Sequence, residues 1–236
     1  MRISCFIILM MISLESFCQS PDMLKVRKWR EQQESAMVQE FIAFLAIPNI
    51  AADSPNMHRN AAFIKQLMET RKIGHVQLLT GDKAGYPPAL YGEVLVPGAK
   101  QTIGFYAHYD GQPVNPAQWA TGLSPFTPVL YDRSLLEGGK PIPFPSGSQE
   151  GNKGYNPEWR IYSRSASDDK AGVFAILNAY AALAANGLRP ACNLKFLFEG
   201  EEEAGSIHLD DIFETHADLL KTDCWVICDG PVHQSG

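Results

Sequence analysis

The chain has 236 residues, 45% of them hydrophobic and 19% charged, which supports one sizeable α/β domain with a real core and excludes a disordered chain. Its 20 Lys and Arg against 26 Asp and Glu give a net charge of −6, and no basic cluster is interleaved with aromatics, so a nucleic-acid surface is excluded as well.

Residues 1–18 read as a secretory signal peptide: Arg2, then an apolar stretch from Cys5 to Leu14, then small or polar residues. The apolar stretch is too short to serve as a stable membrane span. Pro21 disfavours cleavage after Ser20 and places the cut before Gln19, while Glu15 argues against lipid attachment through Cys18. The expected location is therefore periplasmic or extracellular. Beyond the cut remain Cys192, Cys224 and Cys228. Strand spacing would separate the last two by about 13 Å, beyond disulfide reach, so buried free thiols are expected. The paired CxxC spacing of a cysteine zinc site is lacking.

Residues 24–46 carry Met37, Phe41, Phe44 and Leu45 at helical intervals, with Pro48 closing the run, and a second helix is predicted over 58–71. Short β-rich runs follow at 75–79, 89–96 and 102–110, separated by Gly- and Pro-bearing turns. Residues 111–160 are rich in Pro, Gly and Ser and predict a long connection of functional type. A helix is predicted from Lys170 to Ala185, then a strand at "NLKFLFEG", a helix or loop over 206–220, and a strand at "CWVICDG". Strands alternating with helices predict an α/β fold with a mainly parallel sheet flanked by helices.

Three of these strands end alike, with a carboxylate or imidazole after the apolar run: His108 and Asp110, Glu201 to Glu203, and Asp229. Carboxyl ends of parallel strands share one edge, where ligands bind, so these residues should converge. His108 and Asp110 point the same way on the pleat, with Tyr109 opposed, so that the Asp can accept from the ring N–H or hold something beside it. "RSASDDKAGVFA" (164–175) sets Asp168 and Asp169 ahead of a helix that needs only one of them as a cap. Consecutive glutamates alone suit a helix start, but crowded carboxylates repel one another unless a cation neutralises them. Together, His108, Asp168, Glu203 and Asp229 imply a divalent metal, and two rather than one, since hard oxygen ligands with imidazole suit zinc-like ions. A serine hydrolase is unsupported, because no GxSxG elbow occurs.

The segments "AHYDGQPV" (107–114), "SRSASDDKAG" (163–172), "EGEEEAGS" (199–206) and "ICDGP" (227–231), in this order, resemble the M20 dinuclear zinc peptidases. That family includes carnosinase-like dipeptidases, carboxypeptidase G2-like enzymes and acylamino-acid deacylases. The resemblance implies a zinc-exopeptidase catalytic domain, of which residues 19–236 are expected to be the N-terminal part, ending before the inserted lid domain. It implies His108 and Asp229 on one metal, Asp168 bridging, Glu203 on the second metal, Glu202 as general base and Asp110 as the carboxylate orienting His108. Asp169 and Lys170 then belong to the turn, and Glu201 is a bystander.

The cofactors implied are two divalent ions, Zn2+ first, with Mn2+ or Co2+ as other candidates. The substrate implied is a small peptide or an acyl-amino acid, and the lid implies a homodimer. "HYDGQPV" and "ASDDK" look nearest the dipeptidase branch, with a deacylase of the acetylornithine or succinyl-diaminopimelate type as runner-up and a non-catalytic module that keeps the fold as the contrasting class. Family members carry a further metal-binding His later in a longer domain. Residues 19–236 alone are thus expected to bind the second metal weakly and to hydrolyse little. His233 sits too near Asp229 to be the preferred substitute, and His58, His75, His208 and His216 have no motif context.

Overall fold

A computed structural model describes residues 20–82, 85–145 and 154–229; the expected signal peptide and His233 lie outside the described residues. Helix α1 spans Pro21–Leu45 and begins earlier than its apolar period suggests, because Ser20 caps it by accepting from Met23 N at 3.3 Å and Pro21 opens its first turn. Helix α2, Ser54–Thr70, likewise starts before residue 58, at an Asp53 cap that accepts from Asn56 N at 3.3 Å. Strands β1 (Gly74–Leu79), β2 (Ala89–Val94) and β3 (Thr102–His108) follow where the β-rich runs predict them.

Residues 111–160 are not a bare connection: β4 (Val129–Tyr131) pairs antiparallel with both β5 (Pro141–Ile142) and β6 (Arg160–Tyr162) in a separate sheet. Strands of two or three residues are too short to show a period of two, which is why the sequence pattern misses them. Then come α3 (Lys170–Ala185), β7 (Asn193–Glu199), two short helices α4 (Leu209–Thr215) and α5 (Ala217–Leu220), and β8 (Cys224–Ile227). Helix α3 closes on Gly187 at φ +66°, a left-handed position where Leu188 N donates back to Leu183 O at 3.0 Å.

The main sheet has the order β1-β2-β7-β3-β8. It is parallel only on the side that carries the candidate site, where β3 lies between β7 and β8. On the other side β1 and β2 form a hairpin and β2 runs antiparallel to β7, so the sheet is mixed rather than parallel throughout. A nine-residue link suffices for the hairpin, whereas a parallel neighbour needs a longer crossover.

Helices flank both faces. Ala107, Phe196 and Phe198 pack with Phe44, Ile64, Met68, Val173 and Leu177 of α1, α2 and α3. The alternate residues Tyr106, Leu197 and Tyr91 face Ile212 and Leu220 of α4 and α5. This is the pleat at work, burying opposite parities against opposite layers. Among the described residues, β8 is an edge strand, with Val226 and Ile227 exposed. The three cysteines are free, as expected, but not buried: Cys224 is exposed on that edge, and Cys192 and Cys228 are half-buried. No helix of the described residues is long and apolar enough to cross a membrane.

Candidate metal centre

The carboxyl end of β3 delivers His108 and Asp110, both fully buried, to the edge where β7 and β8 also end. The His108 imidazole turns Nε2 into a group of carboxylates: Asp168 Oδ1 at 3.0 Å, Glu202 Oε2 at 3.7 Å and Asp229 Oδ1 at 3.9 Å. Its Nδ1 lies 3.3 Å from Asp110 Oδ1, close enough to pair charges but without hydrogen-bond alignment. Convergence of these strand ends is what the sequence pattern predicts.

Asp110 has a second task. Its two oxygens accept from Glu202 N at 3.1 Å and Glu203 N at 3.0 Å, so the carboxylate holds the first turn of the short 3-10 segment Glu202–Ala204. One buried side chain thus sets both the imidazole and the two glutamates. Glu203 in turn accepts from Gln112 Nε2.

Asp168 and Asp169 are joined by a cis peptide bond and do different things. Asp169 is buried, and its oxygens accept from His108 N and from Gly172 N, each at 3.1 Å, so it caps α3 and ties the turn to β3. Asp168 is half-exposed and faces the imidazole. Lys170, fully buried, donates from Nζ to Phe44 O and Ile47 O, both at 2.8 Å, and lies 4.5 Å from the Phe44 ring centroid. The turn is therefore fastened to β3 by an aspartate and to the end of α1 by a lysine.

Among the described residues, two sets bring potential ligand atoms within 4.8 Å of one another: His108 with Asp169 and Asp229, and His108 with Glu202 and Glu203. His108, Glu203 and Asp229 belong to these sets. Asp168 does not, while Asp169 and Glu202 do. The oxygens of Asp169 are already engaged by backbone N–H groups, whereas Asp168 reaches the nitrogen that faces the cluster.

The electrostatics are those of a cation site. Burial alone would lower the His108 pKa, yet Asp110, Asp169 and Glu202 outweigh it and push the ring up to about 9. Burial raises Glu202, and repulsion from Asp229, Glu203 and Asp110 overcomes the help of His108. Burial likewise pushes Asp169 up to about 7 against the His108 N–H and charge, with Asp229 adding to the rise. Carboxylates crowded around one buried imidazole are a donor set that a divalent cation fits, because the cation supplies the positive charge they share.

Sequence patterns did not identify Asn49. It is fully buried, and its Nδ2 donates to Tyr109 O at 2.8 Å and Ser165 Oγ at 2.9 Å while its backbone carbonyl accepts from Gly111 N at 2.8 Å. A Cβ at Gly111 would stand 2.5 Å from Ser165 Oγ, so any larger residue there would push that hydroxyl from its place. An Asn before an Ile in a loop carries no local signal of such a role. Glu201, expected as a bystander, also has a partner: its Oε2 accepts from His208 N at 3.2 Å and from His208 Nδ1 at 2.8 Å. The identity of that partner depends on how the chain folds back after the turn.

The sequence profile of peptidase family M20/M25/M40 matches residues 104–235, more than half of the chain. The Cys-Gly metallodipeptidase dug1 of Schizosaccharomyces pombe is 28% identical over 212 residues, 84% of this chain and 39% of the relative. The human Beta-Ala-His dipeptidase is 29% identical over 147 residues, 62% of this chain and 24% of the relative. The solved structure of the di-peptidase Dug1p from Saccharomyces cerevisiae superposes with a TM-score of 0.68 at 19% identity, over 88% of this chain and 41% of that one, which shows a common fold. The chain thus spans well under half the length of these relatives.

Proposed function

The chain belongs to peptidase family M20/M25/M40, and from that premise we propose that it contributes most of a two-metal centre that hydrolyses the peptide bond of a dipeptide or short peptide. The observation that carries the proposal is the buried His108 imidazole, its Nε2 facing Asp168, Glu202 and Asp229 within 3.9 Å. The dipeptidase names of the relatives support this substrate class over an acyl-amino acid.

In this reading His108, Asp168, Glu203 and Asp229 would hold the two divalent ions. Zn2+ is the ion proposed. When bound, such a pair supplies Lewis acidity toward the scissile carbonyl and a water of lowered pKa. The protein's own contribution is positional and acid–base. Asp110 fixes the backbone of Glu202 and Glu203, so that both carboxylates start from a rigid turn. Glu202, half-buried with its pKa raised, takes the proton of the attacking water and returns it to the leaving amine. Asp169, Asn49 and Lys170 hold the surrounding loops. Export through residues 1–18 and pairing of two copies are part of the same proposal.

The test combines metal content after dialysis with dipeptide hydrolysis, in this chain and in any longer form that contains it. Bound zinc is expected in both, with little hydrolysis by this chain alone and chelator-sensitive turnover in the longer form, where Glu202→Ala should retain zinc while losing about 10²- to 10⁴-fold in kcat. Turnover that survives both chelation and Glu202→Ala would refute the assignment.

A further inference from the structure

The 3-10 turn Glu202–Ala204 is held at its start by Asp110, and a second set of contacts holds its far side. Glu201 O accepts from Ala204 N at 3.2 Å and from Ser206 N at 2.9 Å. The Glu201 carboxylate then reaches forward to His208, accepting from its backbone N and its ring Nδ1, so the side chain closes the loop from 201 to 208. Gly205 and Ser206, at φ +95° and +50°, make the tight reversal that brings the two ends together.

The His208 ring stacks on Tyr86, with centroids 4.1 Å apart and planes 3° from parallel. Tyr86 is buried, comes from the β1–β2 connection, and its hydroxyl accepts from Gly81 N in the same connection. A neighbouring bond from His216 Nε2 to Thr80 O at 2.9 Å ties the same two regions together. The chain from β7 to α4 is thereby clamped to a loop more than 100 residues away in sequence.

We propose that Glu201, His208 and Tyr86 form a clamp that positions the Glu202–Glu203 turn for metal binding, with Glu201 and His208 as positioning residues that touch neither metal nor substrate. The inference rests on the two-metal reading above. Its physical basis is that a ligand on a short turn keeps its direction only if the turn is fixed at both ends. Asp110 fixes one end through the two N–H groups, and Glu201 fixes the other through His208. Without the second fixation, Glu203 points variably and the ion it holds binds more weakly, while the His108 and Asp229 side is untouched.

The experiment titrates the intact protein with Co2+, followed by its visible absorption, for wild type, Glu201→Met, Glu201→Gln and His208→Phe, with thermal melting alongside. Glu201→Met removes the acceptor at similar size; Glu201→Gln keeps an oxygen that can accept; His208→Phe keeps the stack on Tyr86 and removes the ring donor. Glu201→Met and His208→Phe should weaken the second Co2+ equivalent about tenfold and alter its absorption, leaving the first equivalent unchanged, and Glu201→Gln should recover most of the loss. Unchanged affinity and absorption in Glu201→Met and His208→Phe, whether or not their melting temperatures fall, overturn the clamp but leave the two-metal reading standing. Loss of fold in both variants assigns the pair to stability alone and also overturns it. A wild-type protein that binds no second Co2+ instead overturns the two-metal reading, and the clamp with it.

Discussion

Replacing Lys170 with methionine tests how the metal-bearing turn is anchored. Lys170 is fully buried, and its Nζ donates to two backbone carbonyls at 2.8 Å, from Phe44 and Ile47 at the end of α1. Hydrogen bonds from charged groups contribute about 1.5–3 kcal/mol each, so the two together represent roughly 3–6 kcal/mol. Burial pushes the Lys170 ammonium pKa well down, and methionine of similar volume removes that desolvation cost, which offsets part of the loss. The expected net destabilisation is about 2–4 kcal/mol, or a fall in Tm of roughly 5–15 °C for a domain of this size. Urea unfolding followed by circular dichroism, with an unchanged m-value, measures it. Because Asp168 and Asp169 immediately precede Lys170, metal affinity should fall in the same variant. Stability within about 0.5 kcal/mol of wild type, the ordinary range for a surface change, would show that the lysine is not the anchor its geometry implies.

Asp110→Asn sets an amide NH2 against the backbone N–H of Glu202 or Glu203, and should cost about 1–3 kcal/mol and reduce bound zinc, read by metal analysis after dialysis. Intact zinc content would contradict its holding of the turn. Gly104→Ala places a Cβ 2.3 Å from Trp225 Cε3, so β8 must shift; a loss of about 1–3 kcal/mol with a change in tryptophan fluorescence is expected, and a silent variant would count against this packing of the edge strand. Glu93 lies away from the site. Burial raises its pKa, but the Tyr91 hydroxyl and the His75 ring outweigh that and hold it below the usual range. Its contribution to stability is therefore complete above about pH 4 and is lost as pH falls through the lowered value. Glu93→Gln should accordingly lose less stability than wild type on acidification below about pH 4, as measured by urea midpoints across that range, and identical acid profiles would refute the assignment.

Signals carried within a few residues determined much of this protein. Apolar periods place α1, α2 and α3, although α1 and α2 begin a few residues ahead of those periods, and β-rich runs place β1, β2, β3, β7 and β8. The pleat aligns His108 with Asp110, and the shared edge of parallel strands gathers His108, Glu202, Glu203 and Asp229 into one place. These features were legible because a strand end or an apolar period is written in neighbouring residues. The short strands β4 to β6 were not, since two or three residues carry no period.

Only the tertiary structure decided how the site is supported. Asp110 reaches the glutamate turn 92 and 93 residues on, Asn49 joins loops 60 and 116 residues away, and Lys170 reaches α1 across 123 and 126 residues. It also supplied the partners of the paired aspartates that the family resemblance had already separated, turning Asp169 to the backbone of β3 and α3 and Asp168 to the imidazole. The physical reason is the same in each case. A buried polar group must find a partner wherever the fold has put one, and nothing in the neighbouring sequence names that partner until the chain has closed on itself.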